Sequence, residues 1–485
     1  MRESFPDDLD KPKPGNRLRL RYRHKVLLQR RVWPFAWPIF LELFCVVLMG
    51  IISTVLVSHL GAAQIAAVGI TDGVTWIIIS VLTATALGGS VVIAQSFGRV
   101  DRKTALDGAG QVMKLAMMVA LVALISILFF AHLILGVVAY GAEQNVIDMG
   151  EMYLKVVALG YPALAITLAG SGVLRAVGNS RLPAMSNIIM SVLDLVISYP
   201  LIYGFVDIGI GSWQGLGLLG SALGITLARW VGAAIILHCL ATNSTMQVGW
   251  SQYFSRFNRE TLFDILSVGV PASVESLMFN LGKLLTQVMV AGMGTVAMAG
   301  NVVTFSIVLL LNIPGNTLAM TSTILVGQRL GQDSTRKAYQ EMKLIFWAAT
   351  GLMTLLALVF MVGADFAARL YTSDERVIEV VKDLVRINAV MTPVWAASFV
   401  LPAAFKGAKD AKYTMWTAIA SMWGCRVVLG YLLGIYFDLN VYGVWLGMFA
   451  DWWVRGAIYY YRLIHRGWLK VYYRKKARQQ AISAA

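Results

Sequence analysis

Among the ionisable side chains inside long apolar runs, where a charge needs a partner or water, four could carry ions or solutes: Glu42, Asp194, Glu275 and Lys283. Intramembrane charge is costly, so such residues mark ion or solute pathways or sit in ion pairs. Asp194 falls about eleven residues into its run, roughly 16 Å deep at 1.5 Å per residue, close to a bilayer midplane. Desolvation penalises the charged form of a buried carboxyl, which suits a proton carrier. The structural alternative is an ion pair with Arg229 on the next run. Glu42 and Glu275 each follow a proline by four residues, Pro38 and Pro271. At that spacing the carboxyl shares the proline's face, where the missing N–H frees a carbonyl and bends the helix. We expect both glutamates to face one central cavity, binding a cationic solute, carrying protons, or both. For Glu42 the alternative is an interfacial position. Lys283 lies eight residues beyond Glu275, too deep to snorkel, so it pairs with a carboxylate or lines water. In a cavity it would weaken cation binding. Arg426, Asp451 and Arg455 read as a structural network, with Asp451 and Arg455 spaced i, i+4. Asp72 reads as interfacial.

The chain that must position these residues has 485 of them, 58% hydrophobic and 14% charged, with a mean hydropathy of +0.68. Soluble domains run nearer a quarter charged. Apolar runs long enough to span a bilayer lie near 33–59, 68–97, 112–140, 153–175, 183–207, 216–240, 262–291, 297–326, 341–364, 384–405, 413–436 and 442–465. The fold class is therefore all-α, an integral membrane protein of twelve transmembrane helices. Lys and Arg gather before the first run, after every even-numbered run and at the C-terminus, with Arg99, Arg102, Lys103, Arg336, Lys337, Lys406 and Lys409 among them. The odd-numbered connections are short, or acidic and mixed. By the positive-inside rule both termini are cytoplasmic. The net charge of +15 follows from the same pattern, and no nucleic-acid partner is expected.

A shift of 233 residues places Pro38 on Pro271, Glu42 on Glu275, Gly61 on Gly294, Gln95 on Gln328 and Gly98 on Gly331. A shift of 231 places Pro162 on Pro393 and Arg175 on Lys406. The halves are parallel repeats, two pseudo-symmetric six-helix bundles with a site expected between them near the midplane. This divides the chain into a basic cytoplasmic tail (1–32), an N-lobe (33–240), an interfacial linker (241–261), a C-lobe (262–465) and a second basic tail (466–485).

The stretches Ala94-Gln95-Ser96-Phe97-Gly98 and Leu174-Arg175-Ala176-Val177-Gly178-Asn179-Ser180-Arg181-Leu182-Pro183, with Leu193-Asp194 after them, resemble the multidrug and toxic compound extrusion (MATE) family. The second half repeats the signature as Val326-Gly327-Gln328-Arg329-Leu330-Gly331 and Lys406-Gly407-Ala408-Lys409-Asp410. The resemblance runs from about residue 33 to 465. It implies a two-lobed antiporter of the bacterial inner membrane that expels cationic or amphipathic organic solutes against proton or sodium entry. Three positions depart from the family's pattern. Ser53 stands where members often carry an aspartate, Met190 where an asparagine often precedes the fifth-span aspartate, and 391–405 holds no carboxylate. Sodium prefers several converging oxygen ligands, as other hard cations do. The loss of two such oxygens favours proton coupling through Asp194, Glu275 and Glu42, with Glu42, Glu275 and Lys283 lining the substrate cavity.

The rival readings are a lipid-linked oligosaccharide flippase of the same superfamily and a membrane-embedded transferase. The transferase lacks an acidic metal cluster or a His-centred motif, since His24, His59, His132, His238 and His465 are isolated. No enzyme activity, cofactor or metal is expected; Cys45, Cys239 and Cys425 read as packing residues. The expected partners are a small-molecule substrate and the lipid bilayer, and the expected state is a monomer.

The charge pattern makes a direct prediction. In a background lacking the three cysteines, single cysteines at Asp148 or Asp374 should react with an impermeant maleimide on intact cells. Cysteines at Lys103 or Lys337 should react only after permeabilisation. The opposite pattern at either pair would defeat the twelve-span topology.

Overall fold

The computed structural model describes residues 26–138, 143–205, 213–242 and 245–484. Most of the basic N-terminal tail lies outside these residues. Twelve spans follow in order, here α1 to α12. The first three are α1 (Trp33–Ser58), α2 (Ala62–Gly98) and α3 (Arg102–Val138). Next, α4 is broken into Gln144–Ala158 and Tyr161–Ala176, bent by 48°. The N-terminal half ends with α5 (Arg181–Tyr203) and α6 (Leu218–Thr242). The second half has α7 (Arg259–Ala291), α8 (Thr295–Gly331), α9 (Thr335–Val362) and α10 (Glu375–Gly407). It closes with α11, which starts as Ala411–Ser421 and runs on to Tyr436 with π-helix over Met422–Leu429 and Leu432–Tyr436, and α12 (Asn440–Ile464). A last helix, α13, covers Gly467–Ala484. A two-residue antiparallel ribbon, Gly204–Phe205 with Trp213–Gln214, closes the α5–α6 turn.

Ten of these are long and apolar enough to span singly, and the bent pair makes an eleventh. The twelfth, α12, is less apolar because it carries Asp451, Arg455 and Arg462, the first two fully packed inside. The outer faces are apolar: Phe129 and Leu133 on α3 and Leu355 and Val359 on α9 are exposed. In water such a surface would aggregate; in lipid it is matched. The expected spans thus match the observed helices to within a few residues, except that α2, α3, α4, α9 and α10 start six to ten residues earlier. The first turns of α3, α4, α9 and α10 are polar or charged and carry no hydropathy signal, whereas α2 begins with an alanine-rich turn.

Each half has its own apolar core, α1 to α6 around Leu82, Leu154 and Leu174, and α7 to α12 around Met342, Phe405 and Trp445. The halves exchange a few residues: Val32 and Ala36 pack into the second core, Ile265 and Ile324 into the first. Residues 245–258, on the way from α6 to α7, run along α3. Gln111 and Lys114 donate to the backbone oxygens of Arg256 and Ser255, at 3.0 and 2.7 Å. Asn258 then caps α7.

The lobes meet where α2 and α8 end. A Cβ at Gly98 would lie 2.2 Å from the Gln328 oxygen, and one at Gly331 would lie 2.0 Å from the Gln95 oxygen. Only glycine permits that approach. The two contacts are the same contact seen from either lobe. The amides complete it: Gln95 Nε2 donates to Gly407 O at 2.9 Å, and Gln328 Nε2 to Ala176 O at 2.8 Å. Ala176 and Gly407 are the last residues of α4 and α10, so each lobe caps a free C-terminal carbonyl of the other. The contact extends along α2 and α7 through Gly88, against the Ile265 oxygen, to mid-helix, where Asn280 donates to Ser80 at 3.0 Å.

Gly98→Val and Gly331→Val should each force this end apart at a cost of about 1–3 kcal/mol, as overpacking does. Spin labels at positions 103 and 337 should then report a longer distance than in the parent. An unchanged distance distribution in both variants would show that the contact does not hold the lobes.

Candidate functional site

In the N-lobe the break in α4 decides where the polar groups go. A helix interrupted in a membrane leaves carbonyls that water cannot reach, and neighbouring helices must satisfy them. Here α6 does so. Thr226 donates to Val156 O at 3.0 Å, Trp230 Nε1 to Leu159 O at 3.2 Å, and Arg229 reaches Val157 O at 3.5 Å. The stem of Arg229 lies against Gly160, with only 3.1 Å between its Cδ and a Cβ built there. Arg229 is thus engaged at the break. Among the described residues Asp194 makes no ion pair with it, contrary to the structural alternative raised from sequence. The two remain within electrostatic reach, together with Asp72, Tyr153 and Tyr161.

Asp194 is half-buried, and its Oδ1 accepts a hydrogen bond from Ser198 at 3.0 Å. The α5–α6 packing places it. Gly220, Gly224 and Gly232 form a small-residue stripe on which Leu201, Ser198 and Met190 lie in close contact. Met190, standing where a polar ligand was sought, fills the notch at Gly232. The position has become packing.

The structure gives the two glutamates different surroundings, which corrects the expectation of a matched pair in one cavity. Glu42 is 5% exposed. It accepts hydrogen bonds from Arg175, at the end of α4, and from Asn187 on α5 at 2.6 Å. Glu275 accepts from Lys406 at 2.8 Å and from Thr414 at 3.2 Å. Arg175 and Lys406 are repeat equivalents, so the carboxylate–cation pair is duplicated. Glu275 also lines a small cavity of about 240 Å³ that reaches Ser80 of α2. Sequence reasoning missed both partners, which lie 133 and 131 residues away. The repeat itself carried the signal, since it matched both members of each pair.

Lys283 lines a C-lobe cavity of about 480 Å³, in the half of the bundle away from the Gln95–Gln328 contact. Its Nζ lies 5.4 Å from the Phe305 ring centroid, and among the described residues it has no carboxylate partner. Arg426 enters the same cavity from the π-helical part of α11 (Met422–Leu429). Behind it Asp451, wholly buried, lies 3.3 Å from Arg455 and 3.7 Å from Arg426 and accepts from Ser421 at 2.6 Å. The expected network is therefore present, with two cations to one anion. No three or more His, Cys, Asp or Glu side chains converge to hold a metal among the described residues.

Two pseudo-symmetric helical lobes, closed at one end and hollow in the other half, define a membrane transporter. The chain belongs to the MatE family, whose profile matches residues 38–200 and again 271–432, two matches offset by the spacing of the internal repeat. It is 25% identical over 440 residues to the uncharacterized transporter YisQ of Bacillus subtilis, covering 90% of this chain and 95% of that protein. It is 23% identical over 424 residues to a probable multidrug resistance protein NorM of Thermotoga maritima, covering 87% and 89%. Among solved structures, it superposes with a TM-score of 0.83 and 21% identity on a MATE transporter in complex with MaL6, covering 90% and 95%. A MOP-superfamily transporter from Pyrococcus furiosus, described as having a binding pocket of reversed polarity, gives 0.82 at 21% identity, with the same coverage. A MATE transporter in an outward-facing conformation gives 0.81 at 20%, again covering 90% and 95%.

Glu42→Gln strands the buried Arg175 charge and should lower stability by about 3–5 kcal/mol, as breaking a buried pair does. Glu42→Gln with Arg175→Met should recover part of the loss. The check is thermal unfolding of purified protein in detergent; a single variant as stable as the parent would show the pair to be dispensable.

Proposed function

We propose that the chain is a proton-coupled antiporter that exports small amphipathic organic solutes by rocking its two lobes. The observation that carries this reading is the closure of one end by the reciprocal Gln95 and Gln328 amides while a cavity lies in the other half. Two lobes that touch through equivalent contacts can part there and meet at the opposite end, which is alternating access. The basic connections put the closed end in the cytoplasm, so this state faces outward, with both termini inside.

Proton coupling rests on Asp194. It is half-buried in a bundle solvated by lipid, bonded to a hydroxyl and not to a cation. Such a carboxyl can be neutral or charged as its access to water changes. A sodium site would need further oxygens, and Met190 occupies the position that could supply one. Glu42 and Glu275, each tied to a cation, serve better as struts at the moving ends of α4 and α10. A lipid-linked oligosaccharide is a poor fit to a cavity of about 480 Å³, a volume usual for one drug-sized solute.

The test is efflux from proteoliposomes with proton and sodium gradients imposed separately. Transport should follow the proton gradient and fall at least tenfold in Asp194→Asn. Sodium-driven transport with no proton gradient, or undiminished transport in the Asn variant, would defeat the proposal.

A further inference from the structure

The C-lobe cavity has an unusual balance of charge for a chain that resembles exporters of cations. Its lining carries two cations, Lys283 and Arg426, and no carboxylate. The nearest anion behind the wall, Asp451, is shared between Arg426 and Arg455 and has no solvent exposure. The smaller cavity that shares Phe279 and Phe399 with it adds Arg455 and the neutralised pair Glu275–Lys406. Every uncompensated charge around this space is positive.

Hydrogen bonding points the same way. Buried N–H groups almost always have acceptors. Yet Trp452 Nε1, on a residue of the cavity wall, is buried with no acceptor in the protein; Arg426 Nε faces only Asp451, 3.7 Å away and shared with Arg455; one acceptor of the wall, Asn312 Oδ1, is also unpaired. Two arginines that share one carboxylate behind the wall, and Lys283 without one among the described residues, leave the hollow short of an anion. The rest of the wall is aromatic. Trp395 stacks on Phe399 at 4.5 Å between centroids, and Phe305 and Trp445 lie 5.1 Å apart. Flat apolar bodies are held well by such surfaces.

We infer that this cavity binds an organic anion with an aromatic body, its carboxylate or sulfonate held by Lys283 and Arg426. The inference rests on the reading of the chain as an exporter and reverses the charge of the solute first expected from the family resemblance. The π-helical stretch of α11 is part of the device: the widened turn brings Arg426 inward, and such bulges recur at functional sites.

The probes are two molecules with the same ring and opposite charge, 2-naphthoate and 2-naphthylmethylammonium. Binding is measured by equilibrium dialysis against the protein in nanodiscs, with empty nanodiscs as the blank. 2-Naphthoate should bind saturably and at least tenfold tighter than the cation. Lys283→Gln should lose most of that preference, and Lys283→Glu should reverse it. Lys283 is exposed to the cavity and makes no ion pair among the described residues, so both variants should fold. Equal or tighter binding of the cation, saturable binding of neither probe, or an unchanged preference in Lys283→Glu would each overturn the inference. Proteoliposome flux separates this from the export reading. Efflux of the cation with 2-naphthoate excluded defeats the anion inference and leaves export standing. The predicted binding pattern without flux of either probe supports the anion site and counts against export alone.

Discussion

Two amide side chains hold this molecule in its present state. Gln95 and Gln328 each reach across the lobe boundary to the last carbonyl of a helix in the other lobe. In water a helix C-terminus is satisfied by solvent. Inside a packed membrane protein it must find a donor, and here the donor belongs to the opposite lobe. The lobes are therefore joined by bonds that each needs, and the backbone approach at Gly98 and Gly331 leaves no room for side chains between them. The closed end follows from that arrangement, which repeats across the pseudo-two-fold axis set by the duplication. N-terminal Arg31, bonded to Gln328 Oε1 at 3.3 Å, and α13 reinforce it from outside. Tyr472 donates to Leu330 O at 2.7 Å. Lys476 and Tyr472 bond to Asp333 and hold its carboxyl below the usual carboxylate range.

Duplication supplied two copies of each polar device, and the copies have since taken different surroundings. The pair Glu42–Arg175 is sealed in the N-lobe, whereas Glu275–Lys406 lines a cavity that Ser80 of the other lobe also touches. Span α4 breaks at Gly160 just ahead of Pro162, while its partner α10 runs unbroken through the equivalent Pro393. The difference is paid for by α6, whose Thr226, Arg229 and Trp230 take up the freed carbonyls. A proline alone therefore does not decide whether a span breaks; the availability of donors beside it does.

This explains what could be read from the sequence and what could not. The spans, their number and the repeat are properties of local composition and register, so hydropathy and a shifted self-comparison found them. Asp194 was found by depth and Lys283 by its distance from either helix end. The partners of Glu42 and Glu275 are tertiary, and the proline spacing that marked these residues said which face they share but not what stands opposite. Arg426 was assigned to a structural network with Asp451, and that network exists; its second role on the cavity wall depends on the π-helical turn, which has no composition of its own. Met190 was read as a lost ligand. Its actual use, filling the notch at Gly232, requires knowing that α5 and α6 pack along small residues.

The placement of charge also constrains how the two halves can work together. Asp194 belongs to the N-lobe, on α5, and Lys283 with Arg426 to the C-lobe, on α7 and α11. Under the proposed exchange, an anionic solute held in the C-lobe partly neutralises two cations there, and a proton held in the N-lobe neutralises one carboxylate. Neither event touches the other's ligands, so direct competition for a shared carboxylate, the simplest form of exchange, is not available to this arrangement. Coupling must pass through an element with two discrete positions that both events bias. The lobe interface qualifies, because α5 carries Asp194 and also Asn187, which bonds Glu42 beside Arg175 at the end of α4. The next residue of α4, Ala176, is where Gln328 crosses from the C-lobe. From Asp194 to that crossing is one helix, one buried ion pair and two hydrogen bonds, and under the proposed mechanism the crossing is the contact that opens as the lobes rock.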